Sequence, residues 1–268
     1  MFAELNNSEF FAIQKIFFRE TGIELPISKK RLVQSRLVGR LLFYGLNSYL
    51  DYIRLVQINQ TEKQEMINLI TTNETYFFRE LQQFDFFQKE IIAKHNGFSK
   101  FRFWSAASSV GAEAYSVAMV LDSYLMSNSW EIVGTDINSD VIKKAKVGLY
   151  PIKWIDKIPD EYRKRYCLKG KGAYEGKFLI DRKLAEKIKF KVWNLMQYCD
   201  DIGKFDVIFL RNILIYFNGN AKQRVLDNVL RNLKVGGFLF ISLTENLGDL
   251  SRKSLKCVET SIFQKIGE

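Results

Sequence analysis

The chain has 268 residues, 47% of them hydrophobic, with 22 Phe and 12 Tyr spread from end to end. That length and composition excludes a disordered protein and allows one large domain beside a small one. The net charge is +10, and sixteen Lys/Arg against six Asp/Glu between Lys143 and Lys191 account for all of it. Such a cluster fits nucleic acid, an anionic membrane surface or an acidic protein face, or else a solvated basic surface with no partner.

No run of eighteen apolar residues is present, so no membrane span is expected. Glu4 and Glu9 lie among the first apolar residues and no basic n-region precedes them, which argues against a signal peptide. Cys167, Cys199 and Cys257 are far apart and lack a Cys-x-x-Cys pair, as expected of thiols in a reducing cytoplasm. The single histidine, His95, points to a surface or capping role and against metal or imidazole chemistry.

Helical spacing of Phe10, Ile13, Phe17 and Phe18 predicts a first helix stopped at Thr21-Gly22, and Pro26 and Gly45 mark further breaks. The first eighty or so residues therefore read as a small helical domain. Lys29, Lys30, Arg31, Arg36 and Arg40 on it either face an acidic partner or form an ordinary solvated helix face. At its end stands Thr71-Thr72-Asn73-Glu74-Thr75-Tyr76-Phe77-Phe78-Arg79-Glu80, with an amide, a hydroxyl and a guanidinium beside a doubled aromatic. The plain alternative is a helix N-terminus with Phe77, Phe78 and Leu81 facing a core and Arg79 solvated.

From about residue 100 strands alternate with helices. Strands are expected at Phe101–Trp104, Glu131–Thr135, Ile188–Trp193, Phe205–Leu210 and Phe238–Leu243. Helices are expected at Glu113–Leu125, Asp140–Val147 and Ala221–Leu233, the last stopped by Val235-Gly236-Gly237. This order predicts an α/β fold with a doubly wound, mostly parallel sheet. The basic stretch 150–188, with turn signals at Gly170, Gly172 and Gly176, interrupts it as an inserted subdomain carrying a short hairpin.

In open parallel sheets ligands bind beyond the carboxyl ends of the strands. Ala106–Gly111 is a small-residue turn that admits close approach of a ligand, without the Gly-x-Gly-x-x-Gly of dinucleotide folds. Asp136, after the second strand, suits either two ribose hydroxyls or an Asx-turn shared with Asn138. Glu113 sits at a helix start, where a carboxylate also complements the dipole without a ligand. Asn194, Arg211 and Asn212 end apolar strands abruptly, and Tyr216 stands in an apolar run just beyond them.

Taken together, several strings resemble the CheR family of chemotaxis receptor methyltransferases over nearly the whole length. They are Thr-Asn-Glu-Thr-Tyr-Phe-Phe-Arg-Glu (72–80), Trp-Ser-Ala-Ala-Ser-Ser-Val-Gly-Ala-Glu-Ala-Tyr-Ser (104–116), Thr-Asp-Ile (135–137) and Asn-Leu (194–195), then Phe-Asp-Val-Ile-Phe-Leu-Arg-Asn-Ile-Leu-Ile-Tyr-Phe (205–217), Leu-Lys-Val-Gly-Gly (233–237) and Thr-Glu-Asn-Leu (244–247). The resemblance implies an S-adenosylmethionine-dependent fold, with residues 1–80 a receptor-facing helical domain and linker and 81–268 the cofactor-binding domain.

It implies S-adenosyl-L-methionine contacts at Asn73, Thr75, Arg79, Ala107, Glu113, Asp136, Asn194, Leu195, Arg211 and Asn212. Arg79 and Tyr216 match the pair flanking the methyl acceptor. The implied reaction is metal-free esterification of chemoreceptor glutamates, leaving S-adenosylhomocysteine. The basic insert resembles a β-subdomain that docks a receptor's C-terminal peptide, and no nucleic acid partner is expected. One departure is Gly111-Ala112-Glu113-Ala114-Tyr115-Ser116, where the family has Gly-Glu-Glu-Pro-Tyr-Ser. The rivals are a nucleic-acid methyltransferase, disfavoured by the lack of a base-methylation motif, and a non-catalytic cofactor-binding adaptor.

Overall fold

The computed structural model describes residues 4–267 without 96, 98, 127–128, 249 and 251–253. The chain opens with four helices, α1 (Asn7–Thr21), α2 (Lys30–Tyr44), α3 (Tyr49–Ile58) and α4 (Gln60–Ile70). A capping box starts α1: Asn6 Oδ1 accepts from Glu9 N at 2.9 Å, and Asn6 N donates back to Glu9 at 3.0 Å. Gly22 ends it at φ 73°, and a Cβ there would come within 2.6 Å of the Met196 sulfur. The left-handed turn favours glycine, and a side chain there would also push the Met196 thioether aside. Phe10, Ile13, Phe17, Val33, Leu37, Tyr52 and Met66 fill the core of this bundle.

After the 71–80 loop comes α5 (Leu81–Phe86), which widens into a π-helical turn to Ile92. Next come β1 (Phe101–Ser105), α6 (Ala112–Tyr124), β2 (Trp130–Asp136) and α7 (Ser139–Val147). The basic insert supplies β3 (Leu149–Pro151), α8 (Asp160–Tyr166), β4 (Cys167–Lys169) and β5 (Lys177–Ile180), and α9 (Arg182–Ala185) leads out of it. The fold closes with β6 (Ile188–Val192), β7 (Phe205–Phe209), α10 (Gly219–Arg231), β8 (Leu233–Phe240), β9 (Leu255–Glu259) and β10 (Ile262–Lys265).

The main sheet has seven strands in the order β6-β2-β1-β7-β8-β10-β9. Its first five are parallel, and β10 and β9 run antiparallel at one edge. The chain winds outward from β1 to β6 and then restarts at β7 on the other side of β1. The switch point, where crevices form at the strands' carboxyl ends, thus lies between β1 and β7. One apolar layer packs α5 and α6 on one sheet face, and another packs α10 on the opposite face.

The doubly wound parallel sheet, helical N-terminal domain and interrupting insert are as the sequence pattern predicts, with local differences. The insert is a three-stranded antiparallel sheet, β3-β5-β4, rather than a lone hairpin. The last parallel strand starts at Leu233, not Phe238, because the register slips so that Leu233 pairs Phe205 while Phe238 pairs Val207. Gly237 makes that bulge feasible, since a Cβ there would lie 2.9 Å from the Asp206 carbonyl. The His95 Nε2 lies 3.0 Å from the Ser99 carbonyl, ahead of β1, and its ring is edge-on to Phe101.

The doubled aromatic holds the insert in place. Phe77 meets Tyr150 edge-on at 4.9 Å and Trp154 at 6.4 Å, and Phe78 stacks on Tyr162 at 5.3 Å. Both phenylalanines are buried, as the plain helical alternative also required, but Leu81 is exposed and residues 73–80 are not helical. Phe77→Ala is expected to lower the unfolding free energy by about 3–5 kcal/mol, the usual cost of a phenylalanine cavity. Urea denaturation followed by Trp154 fluorescence measures it; a loss below about 1 kcal/mol would refute the packing role.

Candidate active site

The turn after β1 is held by backbone and hydroxyl bonds that only small residues permit. Trp104 Nε1 donates to Thr135 Oγ1 at 3.0 Å, and that hydroxyl donates to the Ala106 carbonyl at 2.9 Å. Gly111, at φ 87°, opens α6 with so little space that a Cβ would lie 2.9 Å from the Phe190 ring. Ser109, at φ 48°, donates from its amide to Asp136 at 2.8 Å and from its hydroxyl to the Asn73 carbonyl at 3.1 Å. The turn is thereby fastened both to the end of β2 and to the loop from the helical domain.

Asp136 is the last residue of β2 rather than the first beyond it. One oxygen takes the Ser109 amide and the other the Asn138 amide at 2.9 Å. Burial pushes its pKa up to about 6, against backbone N–H groups of Asn138, Ser109 and Ile137 that favour the charged form. Its Asx-turn and its place in a cavity wall coexist. Asn138 caps α7, accepting from the amides of Asp140 and Val141, and its side-chain amide donates to the Asn68 carbonyl and the Thr71 hydroxyl.

Glu113 accepts a 2.7 Å bond from Ser105 Oγ. Burial raises its pKa, and the Arg211 guanidinium, with Nε 3.3 Å from the carboxylate, opposes the rise. Arg211 is itself buried. Its Nη2 donates to the Arg79 carbonyl at 2.5 Å, and Glu80 lies 3.9 Å from Nε. Among the described residues Arg211 Nε and Nη1 have no hydrogen-bond partner, so Glu113 attracts by charge without an aligned bond.

Asn212, at φ 57°, donates from its amide to Glu245 at 3.0 Å and from its side chain to Ser242 Oγ at 2.7 Å. Tyr216 ends a short 3₁₀ turn whose carbonyl accepts from Glu24 N at 2.9 Å, beside a bridge between Ile23 and Phe217. Arg79 donates to the Glu74 carbonyl at 3.3 Å, and its guanidinium lies 5.5 Å from the Tyr76 ring centre.

These pieces enclose a cavity of about 790 Å³ between the sheet's carboxyl ends and the helical domain. Asn73, Thr75, Ala107, Glu113 and Asp136 line it together with Arg79, Arg211, Asn212 and Tyr216. Phe17, Phe18, Leu25 and Leu32 form the wall from the bundle. Asn194 and Leu195 do not reach this space. They line an adjoining cleft of about 30 Å³ that shares Ala107 and Asp136. There Asn194 Nδ2 donates to the Glu20 carbonyl at 2.6 Å, tying the two domains together.

Residue-by-residue reading of the sequence missed Ser105, Ser109, Glu80 and Glu245. Glu245 accepts from the amides of Asn212, Ile215 and Ser242, and Glu80 accepts from Ser242 Oγ and Leu243 N. Both acids lie inside the strings that resemble the CheR family, which was the available signal. Arg36 and Arg40 were the opposite case. Arg40 forms a two-bond pair with buried Glu62, and Arg36 donates to carbonyls at the end of α4, so neither is simply a solvated basic residue.

Residues 73–263 match the family described as CheR methyltransferase, SAM binding domain, and residues 8–71 match CheR methyltransferase, all-alpha domain. The chain belongs to the CheR methyltransferase family. A chemotaxis protein methyltransferase of Escherichia coli K12 is 35% identical over 257 residues, covering 93% of this chain and 88% of that protein. One from Salmonella typhimurium is 33% identical over 254 residues, covering 93% and 87%. Chemotaxis protein methyltransferase 2 of Pseudomonas aeruginosa is 34% identical over 241 residues, covering 89% and 86%. This CheR-family chain is an S-adenosylmethionine-dependent methyltransferase of chemotaxis. Among its described residues no helix is long and apolar enough to cross a membrane.

The elevated Asp136 has a measurable consequence. Its carboxyl ionises at about 6 in the folded chain against an ordinary 3.8, so between those values the folded state holds the extra proton. The stability it lends is complete below the lower value and is lost as pH rises through the higher one. Asp136→Asn removes this titration, and the variant should gain on the parent by on the order of 3 kcal/mol between about pH 4 and pH 7. Urea denaturation across that range tests it, and a constant difference would rule out the shift.

Proposed function

We propose that this enzyme transfers the methyl group of S-adenosylmethionine to glutamate side chains on the cytoplasmic part of chemoreceptors, giving glutamate methyl esters and S-adenosylhomocysteine. The observation that carries this reading is the cavity itself, in which Arg79 and Tyr216 share a wall with Glu113, Asp136 and Arg211. The enzyme acts in the cytoplasm, recruited to membrane receptor arrays.

The residues present fit the cofactor. Asp136 offers carboxylate oxygens at the strand end where ribose hydroxyls are received in such sheets. The two unpartnered nitrogens of buried Arg211, Nε and Nη1, are a costly arrangement in isolation, and a carboxylate would satisfy them. Glu113 is placed for an ammonium, and Asn73, Thr75, Arg79, Ala107 and Asn212 complete the wall, with Asn194 and Leu195 supporting it from the adjoining cleft. Ala112 and Ala114, where the family has Glu and Pro, are buried in the core and leave Glu113 in the cavity wall.

S-adenosylmethionine supplies, when bound, an activated methyl group on a sulfonium and a neutral thioether as leaving group. A glutamate carboxylate has an ordinary pKa of about 4.3 and needs no general base at neutral pH. Alignment is then the main demand on the protein, and well-oriented reactants gain about 7–11 kcal/mol. Arg79 orients the acceptor carboxylate by charge-assisted hydrogen bonds, and the Tyr216 hydroxyl restrains it. The insert serves recruitment. Strand β4 is an edge of its sheet, paired to β5 alone, and with the cations Lys169, Lys171 and Lys177 around it supports docking of a receptor's C-terminal peptide as an added strand.

Radiolabelled S-adenosylmethionine offered with a chemoreceptor cytoplasmic fragment and, in parallel, bulk tRNA tests the reading. Alkali-labile label on the receptor is the expected result, and label on tRNA alone would overturn it. Arg79→Ala is expected to lower receptor methylation by about 10²-fold, as for a misaligned reactant; methylation near the parent rate would remove Arg79 from that role.

A further inference from the structure

The helical domain contributes more than a wall to the cavity. Arg36 lies in the middle of α2, and its Nη1 donates to the carbonyls of Leu69, Ile70 and Thr71 at 3.0, 2.8 and 3.0 Å. These carbonyls end α4, where a helix leaves its last acceptors unmatched and where positive charge is favoured. Two residues further on comes Asn73, the first residue of the binding loop. Thr71 joins it at the side-chain level, since its hydroxyl takes a 3.4 Å contact from Asn73 Nδ2 and a 2.8 Å bond from Asn138 Nδ2. Asn138 in turn bonds the Asn68 carbonyl, and its amide donates to the Asp136 carboxylate.

A continuous set of hydrogen bonds thus runs from α2 through the end of α4 to both Asn73 and Asp136. We propose that Arg36 is a positioning residue for the cofactor half of the cavity, acting through the α4 terminus to fix the 71–75 loop. This deepens the proposed cofactor site and rests on it. Arg36 is half-buried and directed inward, unlike exposed Arg31 on the same helix, for which no bond is found among the described residues. Its charge is spent on the loop and not on an incoming acidic partner. Because both Asn73 and Asp136 hang from one clamp, loosening it disturbs two cavity walls together.

The test measures S-adenosylhomocysteine binding calorimetrically, without receptor, for the parent, Arg36→Gln, Arg36→Lys and Arg31→Gln. Glutamine keeps helix propensity and polarity, and a cooperative melt of each variant confirms the fold. Arg36→Gln should weaken binding about tenfold, equivalent to about 1.4 kcal/mol. Arg36→Lys, which restores a cation with several donors, should recover much of the loss, and Arg31→Gln should match the parent. In turnover, Arg36→Gln should raise the KM for S-adenosylmethionine and leave the KM for the receptor fragment unchanged.

Parent-like binding by Arg36→Gln, or equal losses in the Arg31 and Arg36 variants, would overturn the proposal. So would a rise confined to the receptor KM, the sign of a docking cation. Failure of the parent chain itself to bind S-adenosylhomocysteine would instead strike at the cofactor site beneath it.

Discussion

The buried guanidinium of Arg211 is the constraint around which the site is arranged. Removing a cation from water costs several kcal/mol, and the cost is tolerable only where opposite charge and acceptors surround it. Here Glu113 does so from the start of α6, and Glu80 and the Arg79 carbonyl do so from the end of the binding loop. The same pairing opposes the rise that burial imposes on the Glu113 pKa. One side chain just past β7 therefore fixes the start of α6 against the binding loop, and two of its buried nitrogens, Nε and Nη1, have no partner among the described residues.

That arrangement demands unusual backbone. Phe78, Glu80, Ser109 and Asn212 all have positive φ, and each is within or next to the cavity wall. Such residues cost about 1–3 kcal/mol apiece and persist where surrounding bonds over-determine them. The bonds are present. Phe78 N donates to Ser116 Oγ, Glu80 accepts from Ser242 and Leu243, Ser109 bonds Asp136 and Asn73, and Asn212 is held by Glu245 and Ser242. Strain concentrated in this way and over-determined by internal bonds is pre-organisation of the loops.

Most of the fold was legible because strand and helix periods alternate cleanly from residue 101 onward and glycines fall at the breaks. The slipped register at Leu233–Phe238 was not, since Gly236-Gly237 carries the same signal whether it stops a helix or bulges a strand. Strand ends pointed to Asp136, Arg211 and Asn212 on chemical grounds. Arg79 and Tyr216 came only through resemblance, because an arginine beside aromatics and a tyrosine in an apolar run have common structural uses. Glu80 and Glu245 look like surface acids in one dimension; only the folded chain shows them accepting bonds from backbone amides far along the sequence. Arg36 was hidden similarly, for a basic residue on a basic helix gives no hint that it turns inward.

The cavity's mixed lining bears on the chemistry proposed for it. Joining a sulfonium to a carboxylate destroys charge, giving a neutral ester and a neutral thioether, so surroundings less polar than water penalise the separated charges more than the transition state. The wall of Phe17, Phe18, Leu25 and Leu32 is suited to that effect, and it comes from the helical domain rather than the sheet. Arg79 works against it, because a cation that grips the acceptor also stabilises the charge that must disappear. In the proposed reaction its contribution would lie in orientation, and a half-buried guanidinium shared with the Glu74 carbonyl and the Tyr76 ring grips more weakly than a buried pair. The deeply buried charge pair is Arg211 with Glu113, where a cation is held by burial and opposite charge and not by its access to an acceptor.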